Sequence, residues 1–491
     1  MALARPTMMD RMIASVAPVY GAQRIAARSA SGRRQTRGWF ARARSADQDN
    51  ARQKTLIARS RDAAMNLPLA TAAIERNVTF TVGTGLMAFP DLDHEALGIT
   101  AEAAAALTLR IARDYDSYLS STDPDAERTS TGYGQQAVLL RGVLEGGDML
   151  AVRCMPKAQI GRVHETAWKL IEADRIVSPT SHQEGTKLGS NGNVCTLGVE
   201  VDSFGAPQRF HVLKKAPDSL NARAANDTVP IEAWGKESRL PTALLLMDKR
   251  RAEQSRGVPF LAPVLEVLRQ VSDATDAELI ATVMQGMLAI IYKTPGATAM
   301  PEPVYERDAA DGESMFTGGD GVVGVEGERP PSHYNFDAGT VLEVDSDAEV
   351  DMKTPGRPNP AYDKFFEAVG TQIGAALETP FEVLMARFES SYTASRAALE
   401  LFYKRLIVRL NWLASMWCTP VYQCWLYEQV ANGVYDMPGY FDDLRIRALW
   451  SSVRHRGDGK ISLDPAREAR ALETHEAHGW KTGQEITAYR R

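Results

Sequence analysis

Between residues 263 and 293 the chain sets Val264, Leu265, Leu268, Val271, Leu279, Ile280, Val283, Met284, Met287, Leu288 and Ile291 at helical spacing. Pro259 and Pro263 stand ahead of this run and Thr294-Pro295-Gly296 closes it. Proline suits a first helical turn, where its missing N–H has no partner in any case, so the two prolines read as a start signal. A helix of about thirty residues at 1.5 Å each spans roughly 45 Å. Its apolar positions lie on more than one side, so it needs neighbours along its whole length. A chain of 491 residues, 44% hydrophobic, is long enough to supply some of them, as two to four domains of roughly 150 residues.

Composition removes several alternatives. With 37 Gly, 25 Pro and 8% aromatics, the chain is neither collagenous nor a low-complexity scaffold. A net charge of -6 argues against a surface built to hold nucleic acid by neutralising phosphates. The four cysteines, 154, 195, 418 and 424, form no CxxC pair and are too sparse for a disulfide framework, which fits a reducing compartment. The longest apolar stretch, residues 279–292, is interrupted by Gln285 and falls short of the ~18–20 residues of a membrane span. Arg5, Asp10 and Arg11 precede any apolar core, so no secretory signal is expected.

Residues 1–61 carry thirteen Lys/Arg against three Asp/Glu, a basic arm readable as partner-ordered or as an ordinary solvated terminus. From Arg61 the pattern predicts helix, then a strand over Val78-Thr79-Phe80-Thr81-Val82 closed by Gly83 and Gly85. Helices are expected over residues 100–120 and 133–144. Strands are expected over 149–154, 194–201 and 209–213, with Asp202-Ser203-Phe204-Gly205-Ala206 as a hairpin turn. Residues 62–257 thus read as a mixed α/β or α+β unit.

After the long helix, residues 294–360 form an insert rich in Gly, Pro and acid. Between Met300 and Asp351 it holds fourteen Asp/Glu against two Lys/Arg, with one expected strand over 340–344. A second helix is expected over 361–378, with Phe365, Phe366, Val369, Ile373 and Leu377 at helical spacing and Thr379-Pro380 as its stop. A short polar stretch then leads into a long helix over 394–432, kinked at Pro420. Residues 433–491 are mixed, then mostly polar.

No chemical motif survives inspection. Gly319-Asp320-Gly321-Val322-Val323-Gly324 matches GxGxxG by letter, but no strand precedes it, no helix follows, and Glu326 and Glu328 would repel a pyrophosphate. There is no GxxxxGK[ST] and no GxSxG. His475-Glu476-Ala477-His478 is one residue short of the i, i+4 spacing that brings two imidazoles to one metal. The remaining histidines, 94, 164, 182, 211, 333 and 455, are isolated, and Cys418 and Cys424, near Trp412, Trp417 and Trp425, read as buried apolar residues. No catalytic, cofactor or metal residue is expected, which favours a structural or assembly role.

The segment Arg251-Ala252-Glu253-Gln254-Ser255-Arg256-Gly257-Val258-Pro259-Phe260-Leu261-Ala262-Pro263 resembles the lambda-type portal proteins of tailed bacteriophages. The resemblance extends back through Arg76-Asn77, Val82-Gly83-Thr84-Gly85-Leu86, Gly198-Val199-Glu200-Val201-Asp202 and Phe210-His211-Val212. It runs forward through residues 358–366, 390–399 and Pro420-Val421-Tyr422, so that it covers roughly residues 20–440. Two departures stand out: Gly147-Asp148 where relatives commonly have Gly-Glu, and Leu246-Met247-Asp248 where a His is usual.

The resemblance implies a mixed α/β (α+β) portal fold: a basic N-terminal arm (1–61), a wing (62–257) and two stem helices (258–293 and 361–379) flanking an acidic clip insert (294–360). A tunnel loop (380–393), a long kinked helix (394–432) and a crown with C-terminal tail (433–491) would complete it. It further implies a ring, usually of twelve copies, at one capsid vertex of the virion, assembled in the host cytoplasm. Such a ring passes double-stranded DNA without sequence specificity during packaging and ejection. It would dock the terminase large subunit, head-tail connector proteins and the major capsid or scaffolding protein, and involve no enzyme activity, cofactor or membrane. Met385, Arg387, Phe388, Glu389, Ser390, Ser391 and Tyr392 fall at the tunnel loop. Leu268, Val271, Ile280, Met284, Met287, Phe365, Val369 and Ile373 fall at the stem interface. Arg387 could touch phosphates weakly at the narrowest point, or pair locally with Glu382 or Glu389. A helical adaptor that never closes a ring, and an enzyme of unrecognised type, are the rival readings; native mass and nucleotide turnover by the pure protein discriminate them.

Overall fold

The computed structural model describes residues 46, 52–156, 161–179, 184–188, 192–215, 228–286, 290–294, 341–345, 362–388, 391–458 and 465–480. Two helices open it, α1 (Gln53–Asn66) and α2 (Pro68–Val82). The expected strand over 78–82 is instead the last turn and a half of α2. Its buried residues, Ala70, Ala73, Ile74, Asn77, Val78, Thr81 and Val82, recur every three to four positions. Against a packed core that helical stripe outweighs the strand preference of the β-branched run, because each buried side chain contributes about 1.5–3 kcal/mol and propensity only tenths.

β1 (Met87–Pro90) and the short α3 (His94–Leu97) lead to α4 (Ala101–Ser120), capped by the Thr100 hydroxyl, and α5 (Gly132–Gly146), capped by Thr131. Both helices lie where the pattern puts them. β2 (Asp148–Cys154) runs antiparallel between β3 (Ala167–Glu172) and a later strand, β9 (Ala243–Met247). A second antiparallel sheet joins β4 (Thr186–Lys187), β5 (Val194–Thr196), β6 (Val199–Val201), β7 (Pro207–Leu213) and β8 (Thr228–Glu232) in chain order. Residues 194–201 are therefore two strands, turned back by Leu197 and Gly198, both at positive φ (49° and 83°). The β6–β7 turn falls at 202–206 as expected. Leu150, Ile171, Val199, Phe210 and Val212 form a small core of their own, fed by both sheets.

α6 (Leu265–Gly286) is the expected long helix, but shorter. It is 22 residues long, and Ile290–Thr294 (β10) is a strand paired in parallel with β11 (Val341–Asp345), close to the strand expected at 340–344. Gly286 is a poor helix former, and the β-branched and aromatic run Ile290-Ile291-Tyr292 prefers the extended state. Met287, the GxGxxG segment at 319–324 and the rest of the acidic insert lie outside the described residues, as does the basic arm before Arg52 apart from Ala46.

α7 (Tyr362–Ala376) follows, then α8 (Phe381–Met385), so the segment expected to be loop from 380 carries a helical turn. α9 (Tyr392–Leu413), a π-helical turn (Ala414–Cys418) and α10 (Thr419–Ala431) make up the long kinked helix. The irregular turn immediately precedes Pro420, which has no N–H to donate to the carbonyl one turn back. Cys418, Cys424 and Trp425 are buried there, with Trp425 packed on Tyr115 at 5.0 Å between ring centroids. α11 (Leu444–Trp450) and β12 (Val453–Arg456) bring the chain back, and β12 pairs antiparallel with β1. α12 (Pro465–Ala477) is the last element among the described residues; His475 on it and His478 just beyond it pack on Trp480. One main core runs from α1 and α2 through α4, α5, the start of α6 and the end of α7 to α10 and Trp450.

Candidate channel segment and its anchorage

The segment expected as the tunnel loop lies between α7 and α9. α7 ends in a Schellman motif: the Thr379 N–H donates to the Gly374 carbonyl at 2.8 Å, and the Glu378 N–H to Ala375 at 3.4 Å, with Glu378 in the left-handed region at φ 52°. α8 packs tightly under α7. A Cβ on Gly370 would come within 2.3 Å of the Phe381 ring, and one on Gly374 within 2.5 Å of the Thr379 carbonyl, so both positions need glycine for the two helices to approach. α8 closes on Ala386, also left-handed at φ 54°, and the Ser391 hydroxyl then accepts from the Ala394 N–H to start α9. Met385, Arg387, Phe388 and Ser391 are exposed here, and the Arg387 N–H donates to the Glu382 carbonyl at 3.0 Å. Glu389, Ser390 and the Tyr392 side chain lie outside what is described.

A buried polar group joins Thr379, just ahead of this segment, to Arg409, well inside α9. Asn77 of α2 donates to the Ala73 carbonyl at 2.7 Å and to the Thr379 hydroxyl at 3.1 Å, while its carbonyl oxygen accepts from the Arg409 guanidinium of α9. Arg409 is 7% exposed and lies over the Phe260 ring at 5.2 Å. Burial and the neighbouring Arg405 bring its pKa down to about 10, so it stays charged at neutral pH. One turn earlier, Arg405 pairs with Glu378 at 2.5 Å and with Asp248 at 3.6 Å. Buried polar contacts thus hold α2, the end of α7 and α9 to one another.

A second buried group explains the motif that carries the family resemblance. Arg256, 1% exposed, donates from Nε and Nη2 to the Asp148 carboxylate at 2.7 and 2.9 Å, and from Nη1 and Nη2 to the carbonyls of Ile176, Leu197 and Ala173 at 2.8, 2.8 and 2.6 Å. All five of its donors are used. Asp148, fully buried, also accepts the Gly257 N–H at 2.7 Å. Gly257 and Gly147 touch backbone to backbone: a Cβ on Gly257 would sit 1.9 Å from the Gly147 carbonyl oxygen. Gln254 holds the approach, accepting from the Arg250 and Arg251 N–H groups and donating to the Arg256 carbonyl. This clamp fixes the entry into α6 against both sheets.

The expected stem-interface residues separate into two groups. Leu268, Val271 and Ile373 are buried in the chain's own core; helical spacing cannot tell a core-facing stripe from an intersubunit one. Val369 packs partly against the same core. Ile280 and Phe365 stay exposed, at 59% and 49%, while the Met284 side chain and Met287 are outside the described residues. Sequence reasoning missed Arg409, Thr379 and the Asp148–Arg256 clamp as anchors. Asn77 stood in the resemblance, and Gly147-Asp148 as a departure from it, without a reason; the structure gives Asn77 its two neighbours and Asp148 its arginine. Among the described residues no cluster of His, Cys, Asp and Glu could hold a metal, and no helix is long and apolar enough to cross a membrane.

The described residues thus define a mixed helix-and-sheet protein with a buried clamp at the root of a long helix. The family model for phage portal proteins of the lambda family matches residues 32–409, and the chain belongs to that family. It is similar to the portal protein of Escherichia phage N15, 21% identical over 482 residues with 92% of this chain and 86% of that protein covered. It is likewise similar to portal protein B of Escherichia phage lambda, 20% identical over 454 residues, covering 88% and 81%. Among solved structures, a chain from the neck of a native GTA particle computed with C12 symmetry aligns with TM-score 0.43 and 12% identity, covering 88% of this chain and 90% of that one. A chain from the neck of an empty GTA particle computed with C6 symmetry gives 0.40 and 12%, covering 90% and 91%.

Proposed function

We propose that this portal protein closes with copies of itself into a ring, of twelve by family resemblance, at one capsid vertex, and that DNA passes through the ring during packaging and ejection. Beyond family membership, one observation carries the reading. The distal half of α6 leaves Leu279, Ile280 and Val283 more than half exposed, and α9 does the same with Leu401, Ile407 and Val408. Apolar helix faces of this kind mark an assembly surface, and a head-to-tail contact that closes by rotation makes a ring.

In this reading residues 294–360 form the clip that docks the terminase large subunit and later the head-tail connectors, and major capsid or scaffolding protein surrounds the wing. The loop from Met385 to Tyr392 faces the channel, with Arg387 brushing phosphates. An overall acidic chain suits a conduit, since a basic lining would hold DNA by counterion release. The protein is not an enzyme; with no P-loop in the sequence, ATP hydrolysis belongs to the docked terminase. It resides in the virion and assembles in the host cytoplasm. Native mass with negative-stain imaging tests this: twelve copies of 53.8 kDa give about 650 kDa and a central hole. A stable monomer at low and high concentration would replace the ring by a head-assembly adaptor.

A further inference from the structure

A cavity of ≈ 120 Å³ opens between α5, α9 and the connector running from Asp248 to Phe260. Its floor is apolar, from Leu140, Val143, Val258, Phe260 and Trp412, and three arginines, 250, 405 and 409, line it. The charges do not balance. Arg405 is taken by Glu378 at 2.5 Å, and Asp248 lies between Arg405 and Arg250 at 3.6 and 3.8 Å. Arg409, nine-tenths buried, makes no ion pair among the described residues; its partners are the neutral Asn77 carbonyl and the Phe260 ring. A buried guanidinium without a carboxylate is costly, and an acidic group entering the cavity would relieve it. Val408 lines the cavity and, with Ile407, continues its apolar floor onto the exposed face of α9. The occupant therefore needs a carboxylate followed by apolar side chains along one face.

The chain carries that pattern on the distal half of α6. Asp276, Leu279, Ile280 and Val283 stand at i, i+3, i+4 and i+7, on one side of the helix, and all four are exposed. We propose that the Asp276–Val283 face of α6 seats on the cavity and α9 face of the next copy, with the Asp276 carboxylate closing on Arg250 and Arg409. Cavity and helix are different patches of one chain, so the contact is head-to-tail and propagates around a ring. This rests on the ring reading above and adds the pair of surfaces that joins neighbours.

A charge swap in the full-length chain tests it. Self-association is followed by sedimentation across a salt series for Asp276→Lys, Arg250→Glu and the double variant, with Arg113→Glu as a control of equal charge change on a distant exposed site. Each single variant is expected to weaken association about tenfold or more, the double to recover most of the loss and the control to change it less than about twofold, while melting temperatures stay put. Losses that simply add in the double variant, or no loss, overturn the pairing while rings persist. A wild-type chain that never self-associates overturns the ring reading and this one together. In a Cys154→Ser background, Ile280→Cys combined with Val408→Cys should give an intermolecular disulfide ladder on oxidation; monomer alone from ring-containing samples refutes the contact. Arg250→Glu that abolishes binding to duplex DNA while leaving association intact would assign the cavity to phosphates instead.

Discussion

Replacing Asp148 with Asn keeps the shape of the clamp and removes its charge. In the native chain the carboxylate accepts two bonds from Arg256 and one from Gly257, and both side chains are out of water. The Asn amide has one acceptor oxygen instead of two, and its NH2 would face a guanidinium that can only donate. Arg256 would remain buried, bound to three carbonyls, with no counter-charge. Leaving one member of a buried ion pair alone costs about 3–5 kcal/mol. A cooperative unit of about 150–250 residues melts about 2–4 °C lower per kcal/mol, so Asp148→Asn should lower the midpoint by about 6–20 °C. Melting followed by tryptophan fluorescence suits the assay, because Trp168 sits on β3 beside Asp148's strand and packs on Trp417 at 5.2 Å. Arg256→Met should cost a similar amount, and the double variant less than the two singles added. A midpoint within about 2 °C of wild type, or costs that add to within ~0.5 kcal/mol, would refute the clamp.

Gly257→Ala should be among the most damaging small changes in the chain, costing about 3 kcal/mol or more, since its Cβ meets backbone that cannot rotate away. Gly205→Ala, at φ 81° with open space around it, should cost only about 1 kcal/mol; urea midpoints compare the two. Ala386→Gly removes left-handed strain at the end of α8 and should raise stability by up to ~1 kcal/mol, less the extra chain entropy of glycine; a clear loss in the same titration would show that the turn is not strained. His455 is held neutral by burial, its pKa pushed down to about 4, with Nε2 unpartnered and Nδ1 3.5 Å from the Thr419 hydroxyl. The unfolded chain takes up this proton near pH 6.5, so stability should fall as pH drops from about 6.5 to about 4, by roughly 3 kcal/mol, and His164, lowered by burial too, acts in the same direction. His455→Leu should flatten that acid limb in melting curves taken between pH 7 and 4.5; an unchanged slope would mean His455 is not the group responsible.

Much of this fold is legible in the residues. α4 and α5 follow their apolar period and Thr caps, the start of α6 its prolines, and the irregular turn before Pro420 the missing N–H. β3, β8, β9 and the β1–β12 pair are absent from the sequence reading because short strands carry too few residues for a period to show, and partners 367 positions apart, as Ala88 and His455 are, leave no local trace. The segment 78–82 reads as strand because β-branched alternation resembles a helical stripe over five residues, and only the core behind it decides.

By itself the sequence determines the class of protein: the 251–263 motif and the order of its companions carry the resemblance to the lambda-family portals. Tertiary structure alone decides which charges are buried and paired. Nothing local distinguishes Arg256, clamped on Asp148, or Arg409, hung on Asn77, from the solvated arginines around them, because burial is a property of what folds over a residue from elsewhere in the chain. The same holds for the apolar residues of α6, where Leu268 and Val271 turn inward and Leu279, Ile280 and Val283 stay exposed: one helical period covers both, and the length of helix that the chain's own core can reach separates them.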